Sequence, residues 1–332
     1  MPKTFRVAIV GASGAVGAEM LRVMERRHFP VSKLRLLASS RSAGKTLEFR
    51  GENLVIETLG MNSFEGIDVA LFSAGSGISK EFGPVAVRSG AVVVDNSSAF
   101  RMSESVPLVV PEINGGDIKN HQGIIANPNC TTAVTLMALH PLHKKFRVKR
   151  IFASSYQAVS GAGARALEEL RLQVEALAKG AKFQREVFPH QIAFNVIPQV
   201  DSFLETGYTK EEMKMQNEGR RIMHLPTFKA SVTCVRVPVF RAHSVAVSAE
   251  FERPVVLGEA AEALRHSPGV RIMDEGYPMP LDCAGKDDCF VGRLRLDCAF
   301  ENGLAFWVCG DQLLKGAALN AVQIAELLSP TT

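Results

Sequence analysis

The sequence predicts an α/β protein in which a Rossmann-type doubly wound parallel sheet is followed by a second domain of the α+β class. In the first half, short apolar runs alternate with helical patterns. These runs are apolar on both faces, as buried parallel strands are. After about residue 150, the strand patterns alternate apolar and polar residues. That alternation is typical of a sheet with one open face.

The order of these patterns gives the expected elements and domains. We expect a first domain over residues 1–128, a second over 129–310 and a C-terminal helix within 311–332. One possible position for this helix is against the first domain. In the first domain, the predicted strands are 5–10, 34–38, 68–72, 91–94 and 124–126, and the helices 15–27 and 79–88. Beyond it, the predicted strands are 151–159, 230–240, 244–252, 289–297 and 304–309, and the last four carry the alternation of antiparallel strands. The predicted helices are 164–179, 210–223 and 311–328.

Composition excludes several classes of protein. With 332 residues the chain can form two domains, and its net charge of +4, without a basic run, argues against nucleic-acid binding. No stretch of about 18 apolar residues predicts a membrane span, and the first residues lack a signal-peptide core. The six cysteines form no C-x-x-C pair, so neither a zinc site nor a dithiol redox site is indicated, and we expect no metal. We therefore expect a cytoplasmic protein with free thiols.

A glycine-rich turn connects the first strand to the first helix. Gly11, Gly14 and Gly17 follow the spacing G-x-x-G-x-x-G. Glycine permits a tight turn and lets backbone N–H groups approach a pyrophosphate at the helix N-terminus. The strand before and the helix after make a dinucleotide site the favoured interpretation. The alternative is a glycine-rich turn that binds no ligand.

The end of the second predicted strand indicates which dinucleotide is bound. NAD enzymes usually carry Asp or Glu there for the ribose hydroxyls. This chain has no acid between residues 38 and 44, but offers several serines, among them Ser42, and one arginine, Arg41. A cation and hydroxyl donors suit the 2′-phosphate of NADP. The alternative is a solvated surface loop.

Cys130 is the candidate nucleophile. It follows Asn129, a good N-cap residue, and precedes an apolar helical pattern. In the first turn of a helix the dipole favours a thiolate, and free backbone donors could form an oxyanion hole. The alternative is a small buried cysteine, which is the interpretation we give to Cys234, Cys298 and Cys309 inside strand patterns. Cys283 and Cys289 flank a polar loop and suggest no role.

A cysteine nucleophile needs a proton-transfer partner. Among the eight histidines, His243 differs by lying at a bend between two strand patterns, where functional side chains collect. Most of the others stand in polar or loop contexts. His243 is therefore the candidate acid/base.

These motifs together resemble aspartate-semialdehyde dehydrogenases over essentially the whole chain. An ordered set of matches is far more specific than any one motif. The matching segments are the glycine-rich loop at 11–17, DNSSAFR at 95–101, VPEIN at 110–114, NPNCTT at 127–132, SYQAVSGAG at 155–163, the helix around 211–214, and 236–243.

The resemblance implies an activity. The family reduces 4-phospho-L-aspartate to L-aspartate 4-semialdehyde with NADPH, releasing inorganic phosphate, in the biosynthesis of lysine through diaminopimelate, methionine and threonine. It implies an acyl-thioester intermediate, a homodimer and a second domain that serves catalysis and dimerisation. Ser13 and Gln312 stand where the family commonly has Thr and Asn.

The resemblance also implies a role for each matching residue. Cys130 would be the nucleophile, His243 the acid/base and Gln157 the group beside the thioester carbonyl. Arg236 would bind the substrate carboxylate and Glu211 its amino group. Arg101 and Lys214 would bind phosphate. The alternative for Arg236 or Arg101 taken singly is a surface salt bridge, which the intact motifs around them disfavour. The residues implied for the cofactor are Gly11, Ser13, Gly14, Ala15, Val16, Arg41, Ser42, Ser160, Gly161 and Gln312.

Three rival functions remain at this point. An N-acetyl-γ-glutamyl-phosphate reductase runs the same chemistry on an acylated amine, against which Glu211 argues. A catalytically silent paralogue typically lacks the cysteine, which is present here. A non-enzymatic NADP-binding sensor would leave the second half unexplained.

Overall fold

The computed structural model describes residues 4–328, which divide into two compact units. The first contains residues 4–129 and 317–328, and the second residues 130–316. In the first part of the chain the elements are β1 (Phe5–Val10), α1 (Ala15–Arg26), β2 (Val31–Ala38), β3 (Thr46–Phe49), β4 (Glu52–Thr58), β5 (Val69–Phe72), α2 (Ser76–Arg88), β6 (Val92–Asp95), α3 (Pro111–Asn114) and β7 (Ile124–Ala126).

The first unit is built on a sheet with strand order β3-β4-β2-β1-β5-β6-β7. All neighbours from β4 to β7 are parallel. Val10 and Phe72 at adjacent strand ends are fully buried, as the doubly apolar patterns predicted. The six parallel strands have the order of a doubly wound nucleotide-binding sheet, whose switch point lies between β1 and β5. The predicted Rossmann-type sheet is confirmed.

Strands β3 and β4 form an antiparallel hairpin that the sequence analysis missed. Arg50 and Gly51 form its turn with φ of 53° and 80°. Two successive positive φ values are the requirement of a tight hairpin turn. The side chains of β3 are largely exposed, so the strand lacks the apolar run that marks its neighbours.

The second unit contains a six-stranded mixed sheet, in the order β11-β12-β13-β10-β8-β9. The long helix α4, buried along most of its length, packs on one face of this sheet. The predicted α+β class of this unit is confirmed. Its elements are α4 (Cys130–Phe146), β8 (Val148–Gln157), α5 (Ala164–Ala178), α6 (Lys210–Ile222), β9 (Lys229–Arg236), β10 (His243–Phe251), α7 (Leu257–Arg265), β11 (Val270–Ile272), α8 (Pro280–Cys283), β12 (Cys289–Leu296) and β13 (Gly303–Gly310).

Strand β9 departs from the prediction in direction and in length. It pairs with β8 in parallel, because α5 and α6 lie in the crossover between the two strands, whereas we expected an antiparallel strand. It ends at Arg236 and does not reach residue 240. Pro238 lacks a backbone N–H, so it cannot continue a hydrogen-bonded ladder.

The predicted closing helix from residue 311 was wrong at its start. Asp311 precedes the helical segment, and its buried carboxylate accepts hydrogen bonds from Arg241 Nε (2.5 Å) and from the amides of Gly285 (2.6 Å) and Leu313 (2.9 Å). Helical structure begins as a π-helix over Leu314–Ala318 and continues as α9 (Leu319–Glu326). Residues 329–332 of the predicted segment lie outside the described residues.

Helix α9 is part of the first unit, where it contacts α1, α3 and β6. Arg27 Nε donates to Glu326 Oε1 at 2.7 Å. Buried Asn320 donates through Nδ2 to Asn127 Oδ1 (2.6 Å) and to the carbonyl of Val109 (2.9 Å). Within residues 4–328, no helix combines the length and the apolar character needed to cross a membrane.

Candidate active site

Three predicted site residues lie side by side at one end of the second sheet. Gln157 ends β8, and Arg236, its partner in the register, ends β9. His243 begins β10, and the pairing of Ser244 with Tyr156 brings it next to Gln157. All three side chains are at most 7% exposed and belong to the buried series of their strands. One register thus brings an amide, a guanidinium and an imidazole together.

Cys130 is the first residue of α4, the helix that packs on this sheet. Its side chain is half-buried, and the positive end of the helix dipole favours its thiolate form. Burial lowers the pKa of Arg236. The negative charges of Cys130 and Glu211 act in the opposite direction and raise it, but by less. The guanidinium is therefore within electrostatic reach of the thiol.

Gly316 allows the π-helix to pass next to Cys130. A Cβ atom on Gly316 would lie 2.7 Å from the Cβ of Cys130 and 3.1 Å from its Cα. Such distances are sterically forbidden, so the thiol has its position only with glycine here. Sequence reasoning missed this residue, because an isolated glycine in a helical pattern carries no signal of what packs against it.

The main chain of Ala158 holds two of the site side chains. Its N–H donates to His243 Nδ1 at 3.0 Å, and its carbonyl accepts from Arg236 Nη1 at 2.7 Å. Burial, together with the charge of Arg236, holds the pKa of His243 well below its ordinary value. Both causes favour the neutral form of the imidazole.

A buried chain of polar groups runs from β8 to α6. Ser155 Oγ donates to Gln157 Oε1 (2.9 Å), and Gln157 Nε2 donates to Glu211 Oε1 (3.2 Å). Lys214 Nζ donates to Glu211 Oε2 (2.7 Å) and to Asp201 Oδ2 (3.2 Å). Glu211, predicted to bind the amino group of the substrate, and Lys214, predicted to bind phosphate, are thus hydrogen-bonded to each other.

Two of the residues expected to line the cofactor are bonded to each other in the second unit. Gln312 Nε2 donates to Ser160 Oγ, and Gln312 Oε1 accepts from the amide of Ala242 at 2.8 Å. Both side chains are buried. Gly161 is exposed, and a Cβ on it would lie 2.9 Å from Arg236 Nη1 and 3.2 Å from His243 Nε2. Gly161 therefore keeps access to both groups open.

The glycine-rich loop lies in the first unit, between β1 and α1. A Cβ on Gly11 would lie 2.4 Å from the carbonyl oxygen of Ser73, and one on Gly17 would lie 2.4 Å from that of Gly11. Gly14 caps α1 without a side-chain bond, which leaves the first amides of the helix, from Ala15 and Val16 onward, for a ligand. Ser13 is exposed in this loop. This geometry fits a pyrophosphate.

Arg41 and Ser42 follow the end of β2 at Ala38. Arg41 is exposed, and no carboxylate among residues 4–328 forms an ion pair with it. The amide of Ser42 donates to the carbonyl of Ser39 at 2.9 Å, which makes this segment a turn. An exposed cation in a turn of hydroxyl residues fits a ribose phosphate.

Arg101 also belongs to the first unit, where it is buried. Its Nε donates to the carbonyl of Asn127 (2.8 Å) and its Nη2 to the carbonyl of Asn96 (2.7 Å). These bonds hold the guanidinium in one orientation. Arg101 is therefore not the surface salt bridge that we considered as the alternative.

The remaining cysteines are mostly packing residues. Cys234, Cys283, Cys289 and Cys309 are buried, and burial raises the pKa of Cys234 to about 12. Cys298 is exposed beyond the end of β12, so its interpretation as a buried strand residue was wrong. In residues 4–328, no cluster of His, Cys, Asp and Glu side chains is arranged to hold a metal ion.

Both halves of the chain match known families. Residues 6–121 match the semialdehyde dehydrogenase NAD-binding domain, and residues 139–315 the semialdehyde dehydrogenase dimerisation domain. The aspartate-semialdehyde dehydrogenase of Aquifex aeolicus is 53% identical over 332 residues, covering 98% of each chain. The chain belongs to the aspartate-semialdehyde dehydrogenase family. The Bacillus subtilis member is 47% identical over 340 residues, with 99% of this chain and 98% of the relative covered.

Solved structures of this family agree with the fold. Aspartate-semialdehyde dehydrogenase II of Vibrio cholerae, crystallised in complex with ASA, has a TM-score of 0.97 at 44% identity and covers 98% of both chains. A probable aspartate-semialdehyde dehydrogenase of Pseudomonas aeruginosa has a TM-score of 0.92 at 28% identity, with the same coverage. The family assignment and the fold class therefore rest on independent comparisons.

The electrostatic interaction between Arg236 and Cys130 can be tested without substrate. Arg236→Leu removes the cation that favours the thiolate, so alkylation of Cys130 by iodoacetamide at pH 7 should slow by about tenfold or more. Peptide mass spectrometry measures the rate at each cysteine. Exposed Cys298 is the internal control and should react unchanged. An unaltered rate at Cys130 would show that the helix dipole alone sets its reactivity.

Proposed function

We propose that this chain reduces 4-phospho-L-aspartate to L-aspartate 4-semialdehyde with NADPH and releases inorganic phosphate, reversibly and through a thioester on Cys130. The observation that carries the proposal is the thiol at the start of α4, within electrostatic reach of buried Arg236 and on the sheet end that carries Gln157 and His243. The relatives' names support the substrate. The activity would serve lysine (diaminopimelate), methionine and threonine biosynthesis. A cytoplasmic location stays a prediction.

The acylation step needs a nucleophile and a bound substrate. The thiolate of Cys130 attacks the acyl carbon, the bond to the phosphate oxygen breaks, and a thioester forms. Arg236 suits the α-carboxylate, because its guanidinium is buried and held by Ala158, and a forked cation in low dielectric binds carboxylates strongly. Glu211 suits the ammonium. An N-acetylated amine, as in the rival reductase, would leave this buried carboxylate without a cation from the substrate.

The reduction step needs stabilisation of negative charge on the thioester oxygen. His243 presents Nε2 toward the same space as Arg236, and Gln157 is held by Ser155, two residues earlier on the same strand. These side chains are oriented in advance by the protein, so they require little reorganisation when charge develops. When the tetrahedral intermediate collapses, its C–S bond breaks and Cys130 leaves as thiolate.

The first unit suits NADP. The loop from Gly11 to Val16 would hold the pyrophosphate at the start of α1, and Arg41 with Ser42 would bind the 2′-phosphate. Ser160, Gly161 and Gln312 are the proposed contacts from the second unit. When bound, the nicotinamide supplies the hydride.

Phosphate is assigned to Arg101 and Lys214. Both carry a cation whose orientation the protein fixes, Arg101 through backbone carbonyls and Lys214 through Glu211 and Asp201. Charge-assisted hydrogen bonds from such donors favour a doubly charged leaving group.

We also propose a homodimer formed through the open face of the second sheet. Phe152 and Tyr156 of β8 are exposed on the face opposite α4, and the Tyr156 ring lies 5.2 Å from that of Trp307 on β13. Exposed aromatic rows of this kind mark protein interfaces. The match to a dimerisation domain favours a second copy as the occupant. Sedimentation of the purified chain tests this.

The main test is the Cys130→Ala variant. It should abolish phosphate-dependent reduction of NADP by L-aspartate 4-semialdehyde, because the variant lacks the thiol that would form the thioester. NADP affinity, measured by fluorescence titration, should stay nearly unchanged. Cys298→Ala is the matched control and should keep full activity. More than a trace of turnover in Cys130→Ala would overturn the assignment of the nucleophile.

Lys214→Met tests the phosphate assignment. Loss of one charge-assisted bond, worth about 1.5–3 kcal/mol, should raise the KM for phosphate by roughly 10- to 150-fold and that for the semialdehyde by less. Lys210→Met, an exposed lysine of the same helix, should change neither constant. A larger rise in the semialdehyde constant would assign Lys214 to the amino-acid end of the substrate.

Arg41→Ala tests the cofactor assignment. The same charge-assisted term predicts a loss of NADP affinity of roughly 10- to 150-fold with little change for NAD, because only NADP carries the 2′-phosphate. Titration of both cofactors measures this. Arg50→Ala, an exposed arginine in the β3–β4 turn at the opposite end of these strands, is the control. Equal losses for both cofactors would mean that Arg41 supports the loop or the adenine.

A further inference from the structure

The side chain of Glu212 fixes helix α6 to the edge of the second sheet. Strand β9 is the last strand of that sheet, so one side of its backbone faces no further strand of the sheet. At this edge Glu212 Oε1 accepts a hydrogen bond from the amide of Cys234 at 2.9 Å. Its other oxygen, Oε2, accepts from the amide of Thr209 at 2.6 Å. One buried carboxylate therefore connects the start of the helix with the edge of the strand.

The contact with the strand goes beyond what the start of the helix needs. Thr209 and Glu212 form a capping box, in which Thr209 Oγ1 accepts from the amide of Glu212 at 3.3 Å. Such a box requires one acceptor on the side chain, so glutamate and glutamine both serve it. Here two N–H groups meet two oxygens, and a glutamine would turn its NH₂ group toward one of the donors. The bond to the strand thus explains why a charged carboxylate is buried at this position, where its charge is costly unless it is hydrogen-bonded.

This carboxylate connects the backbones of two segments that are proposed to bind the substrate. Glu211, proposed for the ammonium, is its neighbour on α6 and is also buried. Arg236, proposed for the substrate carboxylate, follows Cys234 by two residues and belongs to the same buried series of β9. Glu212 therefore controls the separation between the helix that carries Glu211 and the strand that carries Arg236.

The side-chain contacts of Glu211 do not set this separation. Gln157 Nε2 and Lys214 Nζ donate to its carboxylate, at 3.2 Å and 2.7 Å. These bonds orient the carboxylate group. Glu212 instead holds the turn of the helix from which the side chain of Glu211 extends.

A second side chain of α6 contacts the same strand farther from the site. Gln216 Oε1, one helical turn after Glu212, accepts from the amide of Ala230 at 3.2 Å. Ala230 lies near the start of β9, whereas Arg236 ends the strand. The contact at Gln216 thus anchors the same two elements without lying next to the proposed binding residues.

We propose that Glu212 is a positioning residue, which holds Glu211 at the distance from Arg236 that an α-amino acid requires and so makes the site selective for a free amino group. This inference rests on the proposed function and deepens it. The ammonium and the carboxylate of such a substrate are attached to one carbon, so their separation is fixed. A shift of α6 along β9 would leave the carboxylate on Arg236 but would weaken the contact of the ammonium with Glu211.

Glu212→Gln tests this inference with two substrates, L-aspartate 4-semialdehyde and 4-oxobutanoate, which has the same carbon chain and carboxylate but no amino group. The quantity measured is the ratio of their kcat/KM values. Because a misplacement of about 1 Å can cost about 10²-fold in rate, and only the amino acid uses Glu211, we expect the ratio to fall by about tenfold or more. Glu212→Asp keeps the charge but is too short to reach both amides. It should lower the ratio as well, and it replaces Glu212→Gln should that variant not fold. An unchanged ratio would overturn the proposal.

Two comparisons separate positioning from a general loosening of the fold. Gln216→Leu removes the other contact of α6 with β9 and should leave the ratio unchanged, whatever its effect on Tm. Glu211→Gln should lower the ratio by itself, and adding Glu212→Gln should lower it no further, because Glu212 acts through Glu211. Equal falls in Glu212→Gln and Gln216→Leu, or additive falls in the double variant, would contradict the role of Glu212.

Hydrogen exchange resolved by residue gives a readout that needs no turnover. In Glu212→Gln the amide of Cys234 should exchange faster while that of Ala230 stays unchanged, and Gln216→Leu should show the reverse. Unchanged protection of Cys234 would mean that the carboxylate does not hold the strand, and the proposal would fall. A wild-type chain inactive with L-aspartate 4-semialdehyde would instead overturn the proposed function, even with the expected exchange at Cys234. With an active wild type, failure of the ratio test concerns Glu212 alone.

Discussion

The register of three adjacent strands is the constraint on which the candidate site depends. Gln157, Arg236 and His243 share one level because β9 and β10 pair with β8 at the positions observed. The side-chain period of a strand is two, so a slip of one residue would turn any of these groups to the open face of the sheet. Alternating apolar residues along the strands stabilise the register, and the polar site at their ends relies on that packing.

Close approach of backbones is the second requirement, and glycine meets it in both units. Gly11 and Gly17 bring the turn after β1 against its neighbours, and Gly316 lets the π-helix pass beside the helix that begins at Cys130. Short π-helical segments are frequent at functional sites. The glycine-rich loop could be predicted from the sequence because its three glycines have a regular spacing. Gly316 did not, since its neighbour is 186 residues away in the chain.

How far the sequence predicted the site depended on whether the signal was local. The buried strands of the first sheet and the helix start at Cys130 follow from apolar runs and capping patterns, and the structure has them. The direction of β9 could not be predicted, because it depends on a crossover through α5 and α6 that leaves no mark on the strand itself. The same holds for Ala158, whose contribution comes from its peptide groups. No residue type at position 158 could have indicated that its N–H meets His243 and its carbonyl meets Arg236.

The bond between Lys214 and Glu211 has a thermodynamic consequence for the order of events at the site. On the proposed assignment, each residue neutralises the other until substrates exchange the partners. Phosphate bound to Lys214 weakens the ion pair of Lys214 with Glu211, so that Glu211 binds an ammonium more strongly. An ammonium bound to Glu211 favours phosphate at Lys214 in the same way. Binding of the two ligands is then positively linked, and linkage is reciprocal, so each raises the affinity of the other by the same factor. The ion pair between Lys214 and Glu211 would in this way favour the complex that holds both ligands over the complexes that hold only one.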